Sequence, residues 1–281
     1  MSSSSNRPAS LADLTGTLML VGAGKMGGAL LEGWLEMGLD PARLVVLEPQ
    51  PSTDLSALAA RGLRLNPAPD AIDAATAIVV AVKPQIAADA LATIAPRVQP
   101  GTFVVSIMAG RTLAFLQSAL PAKTAAVRAM PNTPAAIGRG ITVAVANAHL
   151  TDRQRALAQR LLAATGAVEW VGDEALMDAV TAVSGSGPAY VFLLAECLAR
   201  AGVAAGLPAG LAERLARATV AGSGELMARS SADAAALRRA VTSPGGTTAA
   251  ALEILMAPHG LSALMETAVA AATRRSRELA G

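Results

Sequence analysis

The chain has 281 residues, 53% of them apolar, with 23 basic against 21 acidic side chains and only 2% aromatics. That length suggests about two domains and a substantial core, while near-neutral charge, few aromatics and no basic run argue against a nucleic-acid platform. Charged residues interrupt the apolar stretches often enough that no segment of about 18 residues is expected to span a membrane, and a single cysteine, Cys197, excludes an intrachain disulfide or a thiolate metal cluster.

Met1 to Ser10 is Ser-rich and polar, without the apolar core of a signal peptide. A disordered tail over residues 1–16 and a cytoplasmic location are expected. Leu18 to Val21 then form an apolar run, as in a strand buried on both faces, and Ala29, Leu30, Trp34 and Met37 continue with helical periodicity. Between them Gly22, Gly24 and Gly27 fall at G-x-G-x-x-G spacing. In a dinucleotide site the first glycine makes the tight turn, the second admits a pyrophosphate, and the third lets helix and strand pack closely. Without a ligand the same spacing is a plain strand–turn–helix.

Leu44 to Leu47 read as the second strand, ending at Glu48. A carboxylate there can accept hydrogen bonds from the adenosine ribose of NAD and would repel a 2′-phosphate; otherwise it is a solvated strand-end acid. A helix from about Asp54 to Arg61 and a short strand at Leu63 to Leu65 follow. Ala77 to Val82, Phe103 to Ile107, Thr124 to Met130, Ile141 to Ala146 and Ala167 to Val171 are the remaining strands, with an amphipathic helix from Asp152 to about Ala164. This alternation is that of a parallel sheet with crossover helices. From Asp173 onward only helical patterns remain: Pro188–Ala205, Ala209–Met227, Ala232–Val241, Thr248–Met256 and Leu261–Leu279. The expected fold is therefore α/β, with a Rossmann-like dinucleotide-binding domain over residues 17–172 and an all-helical domain over 173–281. Cys197, among Leu193, Leu194 and Leu198, is expected to be buried.

Ligands of an open parallel sheet bind beyond the carboxyl ends of its strands. That rule selects Gly22 to Gly27, Glu48 to Gln50, Lys83 to Gln85, Ala109-Gly110 and Pro131 to Pro134. Lys83, one of three lysines against twenty arginines, either faces a ligand or pairs with a rim carboxylate. In the helical part, Ser184 to Tyr190 and Ser243 to Thr248 each open a helix. Both serve as caps, or their amides and hydroxyls bind a small carboxylate. His149 and His259 fall in turns away from any strand end, and neither metal-ligand spacing nor a nucleophile–base–orienter set is present.

Several of these motifs resemble the pyrroline-5-carboxylate reductase family over nearly the whole chain, from about Leu18 to Leu279. The resemblance rests on Val21 to Gly28, Ala81 to Gln85, Arg128 to Pro134, Asp178 to Thr181 with Ser184 to Tyr190, and above all Val241 to Thr248. It implies reduction of 1-pyrroline-5-carboxylate to L-proline by hydride transfer from NADPH or NADH, the last step of proline biosynthesis. The implied cofactor site is Gly22, Gly24, Lys25, Met26, Gly27, Val82, Lys83, Pro84, Ala109 and Asn132, to which the ribose reading adds Glu48. The substrate carboxylate site is Ser243, Gly245, Gly246, Thr247 and Thr248. Thr181 lies near the nicotinamide, and it or Thr248 hydrogen-bonds the ring nitrogen. A homodimer with interlocked helical domains is implied too. Glu48-Pro49 departs from the neutral or basic loop of NADPH-preferring members, which leaves the coenzyme open and gives NADH at least comparable use. Rival readings are a β-hydroxyacid dehydrogenase, an imine reductase, or a dinucleotide sensor without turnover. The first uses a lysine on the long helix after its Gly-rich turn, where Pro188 to Ala205 has Glu196 and Arg200 and no lysine.

Overall fold

The computed structural model describes residues 10–68, 71, 72 and 74–280. By contacts it divides into two units, one running to Gly185 and resuming at Arg274, the other spanning Ser186–Thr273.

The first unit is a sheet covered by helices on both faces. Its elements run β1 (Thr17–Val21), α1 (Lys25–Glu36), β2 (Leu44–Leu47), α2 (Thr53–Ala59), β3 (Arg64–Leu65), β4 (Ala75–Val80), α3 (Ala87–Ile94), β5 (Phe103–Ser106), α4 (Leu113–Ala119), β6 (Ala125–Met130), β7 (Gly140–Ala146), α5 (Asp152–Leu162), β8 (Gly166–Trp170) and α6 (Met177–Val180). The strands lie in the order β3-β2-β1-β4-β5-β6-β7-β8. All neighbours pair in parallel except β6 and β7. The connection between those two holds only a 3-10 turn, Thr133–Ile137. A parallel crossover needs a dozen or more residues, so the chain turns back instead. The expected strands are present, but β7 and β8 point opposite to the rest.

Alternation along each strand distributes the core. Leu18, Leu20, Val46, Val79 and Val105 face α1 and α5, while Met19, Val21, Val45, Ile78 and Val104 face α3 and α4. Burial on both faces explains why these strands read as continuous apolar runs. Trp34 of α1 is fully buried, and its indole N–H donates to the Leu161 carbonyl of α5 at 2.8 Å. Helical composition begins at Asp173, yet the packing of the sheet unit continues past residue 172. Met177 is buried among the residues under α3 and α4, and Glu174 accepts from Arg128 Nη1 and the Leu113 N–H, both at 2.8 Å. Of the tail expected over residues 1–16, the first nine lie outside the described residues. The rest is anchored at two points, because Leu11 and Leu14 are buried and the Leu11 N–H donates to the Met37 carbonyl at 2.9 Å.

The second unit is helical: α7 (Gly187–Ala204), α8 (Ala209–Arg229), α9 (Ala234–Ala240), α10 (Thr247–Leu255) and most of α11 (Leu261–Ala280). A four-residue turn joins α7 and α8 into a hairpin, where a Cβ on Gly202 would stand 3.2 Å from Ala212 Cβ. Within one chain α7 buries no residue and α8 only Ala212 and Ala216. Phe192 is 62% exposed and Ile254 75%. Cys197 is accordingly exposed, against expectation, since among the described residues α7 buries none of its own. The helical run Glu174–Ala204 is also long and apolar enough, by length and composition, to cross a membrane. This overturns the expectation from charge spacing, since no charge falls between Asp178 and Glu196.

Replacing Trp34 with Phe leaves the Leu161 carbonyl without its donor, at an expected cost of about 1–3 kcal/mol. A lower denaturant midpoint at fixed protein concentration is the measurement; an unchanged midpoint would mean that this bond does not tie α1 to α5.

Candidate active site

The strand order places β1 beside β4 at the centre of the sheet, with β2 and β3 on one side and β5 onward on the other. Crossovers leave β1 and β4 toward opposite faces, which opens a crevice at their carboxyl ends. The chain leaves β1 at Gly22, whose φ of 91° is a left-handed value that suits glycine. A Cβ there would lie 2.9 Å from both the Ala81 carbonyl oxygen and Val82 Cγ1. Gly27 permits the next close approach, since its Cβ would run into the Gly22 carbonyl oxygen. Gly24 differs from both. A Cβ on it meets nothing within 4 Å, and it caps α1 without any side-chain hydrogen bond. Open backbone at the positive end of a helix, with no side-chain hydrogen bond to its cap among the described residues, is what a dinucleotide pyrophosphate fits. Lys25 and Met26 supply the first helical amides.

Glu48 follows β2 directly and is half-buried. Its Oε2 accepts from the Ala23 N–H at 2.8 Å and its Oε1 from the Gln50 N–H at 3.0 Å. It is thus tied to the glycine turn and is not a loose, solvated acid. Asn66, after β3, clamps the peptide: the Glu48 N–H donates to Asn66 Oδ1, and Asn66 Nδ2 donates to the Glu48 carbonyl, both at 2.8 Å. A groove of about 820 Å³ lies beside these residues, with Ala23, Gly24, Lys25, Glu48 and Gln50 in its lining. Sequence reasoning missed Asn66; an Asn closing a strand, where left-handed backbone is tolerated (φ 45°), was the available signal.

Further along the rim, Val82 and Pro84 are half-buried and Lys83 is exposed. The Arg111 guanidinium donates to the Pro84 carbonyl at 2.7 and 3.2 Å and lies 4.7 Å from the Phe115 ring centre, so it braces this loop. Arg111 was not singled out from the sequence, where nothing separates it from the other arginines. Ala109 is exposed just beyond β5. Asn132 follows β6; its Oδ1 accepts from the Ile141 N–H at 3.0 Å, and its Nδ2 donates to Ser184 Oγ at 3.3 Å. Ser184 belongs to a π-helical turn, Thr181–Gly185, a local widening common at functional sites. Thr181 Oγ1 donates to the Met177 carbonyl at 2.8 Å. A Cβ on Gly185 would run into Met130 Cε, so the turn lies against the end of β6. Gly22 to Gly27, Glu48, Val82 to Pro84, Ala109, Asn132 and Thr181 thus all belong to the first unit, at or beside the carboxyl edge of its sheet.

The Ser243 to Thr248 stretch belongs to the second unit. Gly245 has φ 68°, the Gly246 N–H donates to the Ser243 carbonyl at 3.0 Å, and Gly246 caps α10 with no side-chain hydrogen bond. The loop is a tight turn that presents helix amides together with the hydroxyls of an exposed Thr247 and a half-buried Thr248. His149 and His259 sit in turns. Among the described residues no group of three or more His, Cys, Asp or Glu could hold a metal ion.

Two family models match the chain. Residues 17–110 match one described as NADP oxidoreductase, coenzyme F420-dependent, and residues 174–279 one described as pyrroline-5-carboxylate reductase dimerisation. A pyrroline-5-carboxylate reductase of Pseudomonas aeruginosa is 39% identical over 269 residues, covering 95% of this chain and 97% of its own. The solved structure of a pyrroline-5-carboxylate reductase from Coxiella burnetii superposes with a TM-score of 0.88 at 31% identity, over 95% of this chain and all of the other. A pyrroline carboxylate reductase of Plasmodium falciparum, solved with NADP bound, gives 0.78 at 29% identity over 94% of this chain and 98% of its own. Fold, glycine turn and relatives agree: this chain belongs to the pyrroline-5-carboxylate reductases, NAD(P)H-dependent oxidoreductases.

Proposed function

We propose that the chain carries out its family's reaction, reduction of 1-pyrroline-5-carboxylate to L-proline with NAD(P)H in proline biosynthesis, using the residues of the sheet edge for the coenzyme. The observation that carries this assignment is the open Gly24 backbone at the start of α1, next to a carboxylate already tied to the same turn. Residues 17–172 serve dinucleotide binding, with Gly22, Gly24, Lys25, Met26 and Gly27 at the pyrophosphate, Glu48 at the ribose, and Val82, Lys83, Pro84, Ala109 and Asn132 along the groove. Residues 173–281 serve dimerisation and substrate binding. When bound, the reduced nicotinamide supplies a hydride.

The remaining chemistry asks little of the protein. A cyclic imine is protonated readily near neutral pH, and the resulting iminium is already the electrophile. Its carbon gains the hydride, its nitrogen keeps the proton, and proline results. No strong protein acid is needed. Positioning is what remains, and it is worth a large share of such a barrier. Thr181 already gives its hydroxyl proton to the Met177 carbonyl. Its free lone pairs suit it to accept from the iminium N–H, so it holds the ring and does not donate the proton. Ser243, Gly245, Gly246, Thr247 and Thr248 anchor the substrate carboxylate, with Thr248 as a second partner for the ring nitrogen.

The exposed apolar faces of α7 and α8 support a homodimer in which the Ser243 to Thr248 loop of one chain completes the site at the Gly22 to Gly27 groove of the other. A cytoplasmic location belongs to the same reading, since substrate and coenzyme are both small, charged and soluble.

Oxidation of NADH or NADPH on adding pyrroline-5-carboxylate is the direct test, and coenzyme binding without turnover would favour the sensor reading. Thr248→Ala removes a hydrogen bond to a charged group and is expected to raise KM for pyrroline-5-carboxylate roughly ten- to hundredfold. Coenzyme affinity should stay nearly constant, and an unchanged KM would put the substrate elsewhere. Mixing Gly24→Asp chains with Thr248→Ala chains tests the shared site. In mixed dimers one site then carries both defects and the other neither, so activity should exceed that of both parents. No recovery in confirmed mixed dimers would mean that each site is built within one chain.

A further inference from the structure

We infer that the preferred coenzyme is NADH, that Glu48 enforces the choice, and that Asn66 is the positioning residue that makes Glu48 effective. The inference rests on the reading that the groove beside Gly24 holds the coenzyme's adenosine ribose.

An acidic side chain at the end of β2 selects against a 2′-phosphate only if it cannot move away. A surface glutamate with three free torsions usually can, and then costs the phosphate little. Here the carboxylate is held at both oxygens. Oε2 takes the Ala23 N–H at 2.8 Å and Oε1 the Gln50 N–H at 3.0 Å. Each oxygen has a second lone pair left for a ribose hydroxyl. Turning away would break two bonds from backbone donors to a charged acceptor, and such bonds are the stronger kind.

The peptide beneath is fixed as firmly. Asn66 meets both the N–H and the carbonyl of Glu48 at 2.8 Å, while its own N–H donates to the Val46 carbonyl at 2.9 Å. A left-handed backbone at a non-glycine residue is the local cost of that geometry. Asn66 therefore couples the ends of β2 and β3 to the glycine turn through Glu48.

The field of the groove points the same way. Its charged lining is Glu32, Glu36, Glu48 and Asp54 against Lys25 and Arg61. Four carboxylates against two cations disfavour a dianionic phosphate. Lys25 opens α1, where the pyrophosphate charge competes for it. Arg61 is left as the one cation that a 2′-phosphate could recruit from this lining.

The test compares kcat/KM for NADH and NADPH, with coenzyme Kd by fluorescence titration, in the full-length dimer. Wild type is expected to favour NADH at least about tenfold, and Glu48→Gln, which keeps an acceptor but removes the charge, to cut that ratio about tenfold or more. Asn66→Gly keeps the left-handed backbone and deletes both clamping atoms. It should raise KM for NADH and lower the NADH:NADPH ratio severalfold, with the change in KM and not in kcat. A merely structural Asn66 would weaken both coenzymes alike and leave the ratio untouched. Wild-type preference for NADPH, or an unchanged ratio in Glu48→Gln, overturns the inference while the family reaction stands. Gly24→Asp separates the remaining case: if it leaves both coenzymes bound as before, the groove is not their site, and this inference falls with the reading beneath it.

Discussion

The site in the sheet unit depends on how the chain leaves β1. At Gly22 the backbone turns with a left-handed φ of 91°, close enough to the β4 loop that a Cβ would stand 2.9 Å from the Ala81 carbonyl oxygen. That turn lets α1 begin directly above the sheet edge, with Gly27 against the turn and Gly24 bare. It also puts the Ala23 N–H within 2.8 Å of Glu48 Oε2, so the ends of β1 and β2 form one surface. Had the first residue of the turn been anything with a side chain, the helix would have to start farther out. Its amides would then face solvent and not the crevice.

The two units manage apolar surface in opposite ways. Strands β1, β4 and β5 bury both of their faces under helices of their own unit, and Trp34 is closed off completely. In the helical unit α7 buries nothing, although Phe192, Leu193 and Leu194 stand in one apolar run. At about 25 cal/mol per Å² of apolar surface, a run of that kind is a strong drive for association. Two coverings would suit it, a lipid phase or another protein surface. The match of residues 174–279 to a dimerisation model agrees with the second.

What could be read from the residues, and what could not, divides along one line. Buried parallel strands announce themselves because both faces are apolar, so Leu18 to Val21 and the runs near Val79 and Val105 were legible, as was the glycine spacing. Strand direction was not. β7 reverses because its connection is short and holds only the Thr133–Ile137 turn, and periodicity carries no sign of direction. Cys197 was misplaced because an apolar helical face looks the same whether its cover is the chain's own core or lies outside that chain. Leu11 was lost inside a polar, Ser-rich context although two leucines three apart can pin a short segment. Asn66 and Arg111 were missed for a shared reason. Their work is done on backbone atoms, of Glu48 and Pro84, and a contact to a backbone leaves no pattern in the partner's identity.

This last point bears on how the site achieves its chemistry. Side chains that act as acids or bases are recognised by type, but this reaction brings its own electrophile once the imine is protonated. Under the proposed function the protein's contribution is geometric, and in the sheet unit the backbone is set by main-chain turns: Gly22 at φ 91°, Asn66 at 45° and the π-turn at Thr181–Gly185. Each sits where an element ends, and each is fixed by a hydrogen bond or a close contact. Backbone set this way is least tolerant of change at the small residues that carry it. Under the proposed function the residues that matter most are therefore glycines and an asparagine, whose roles are set by backbone geometry and not by acid–base chemistry.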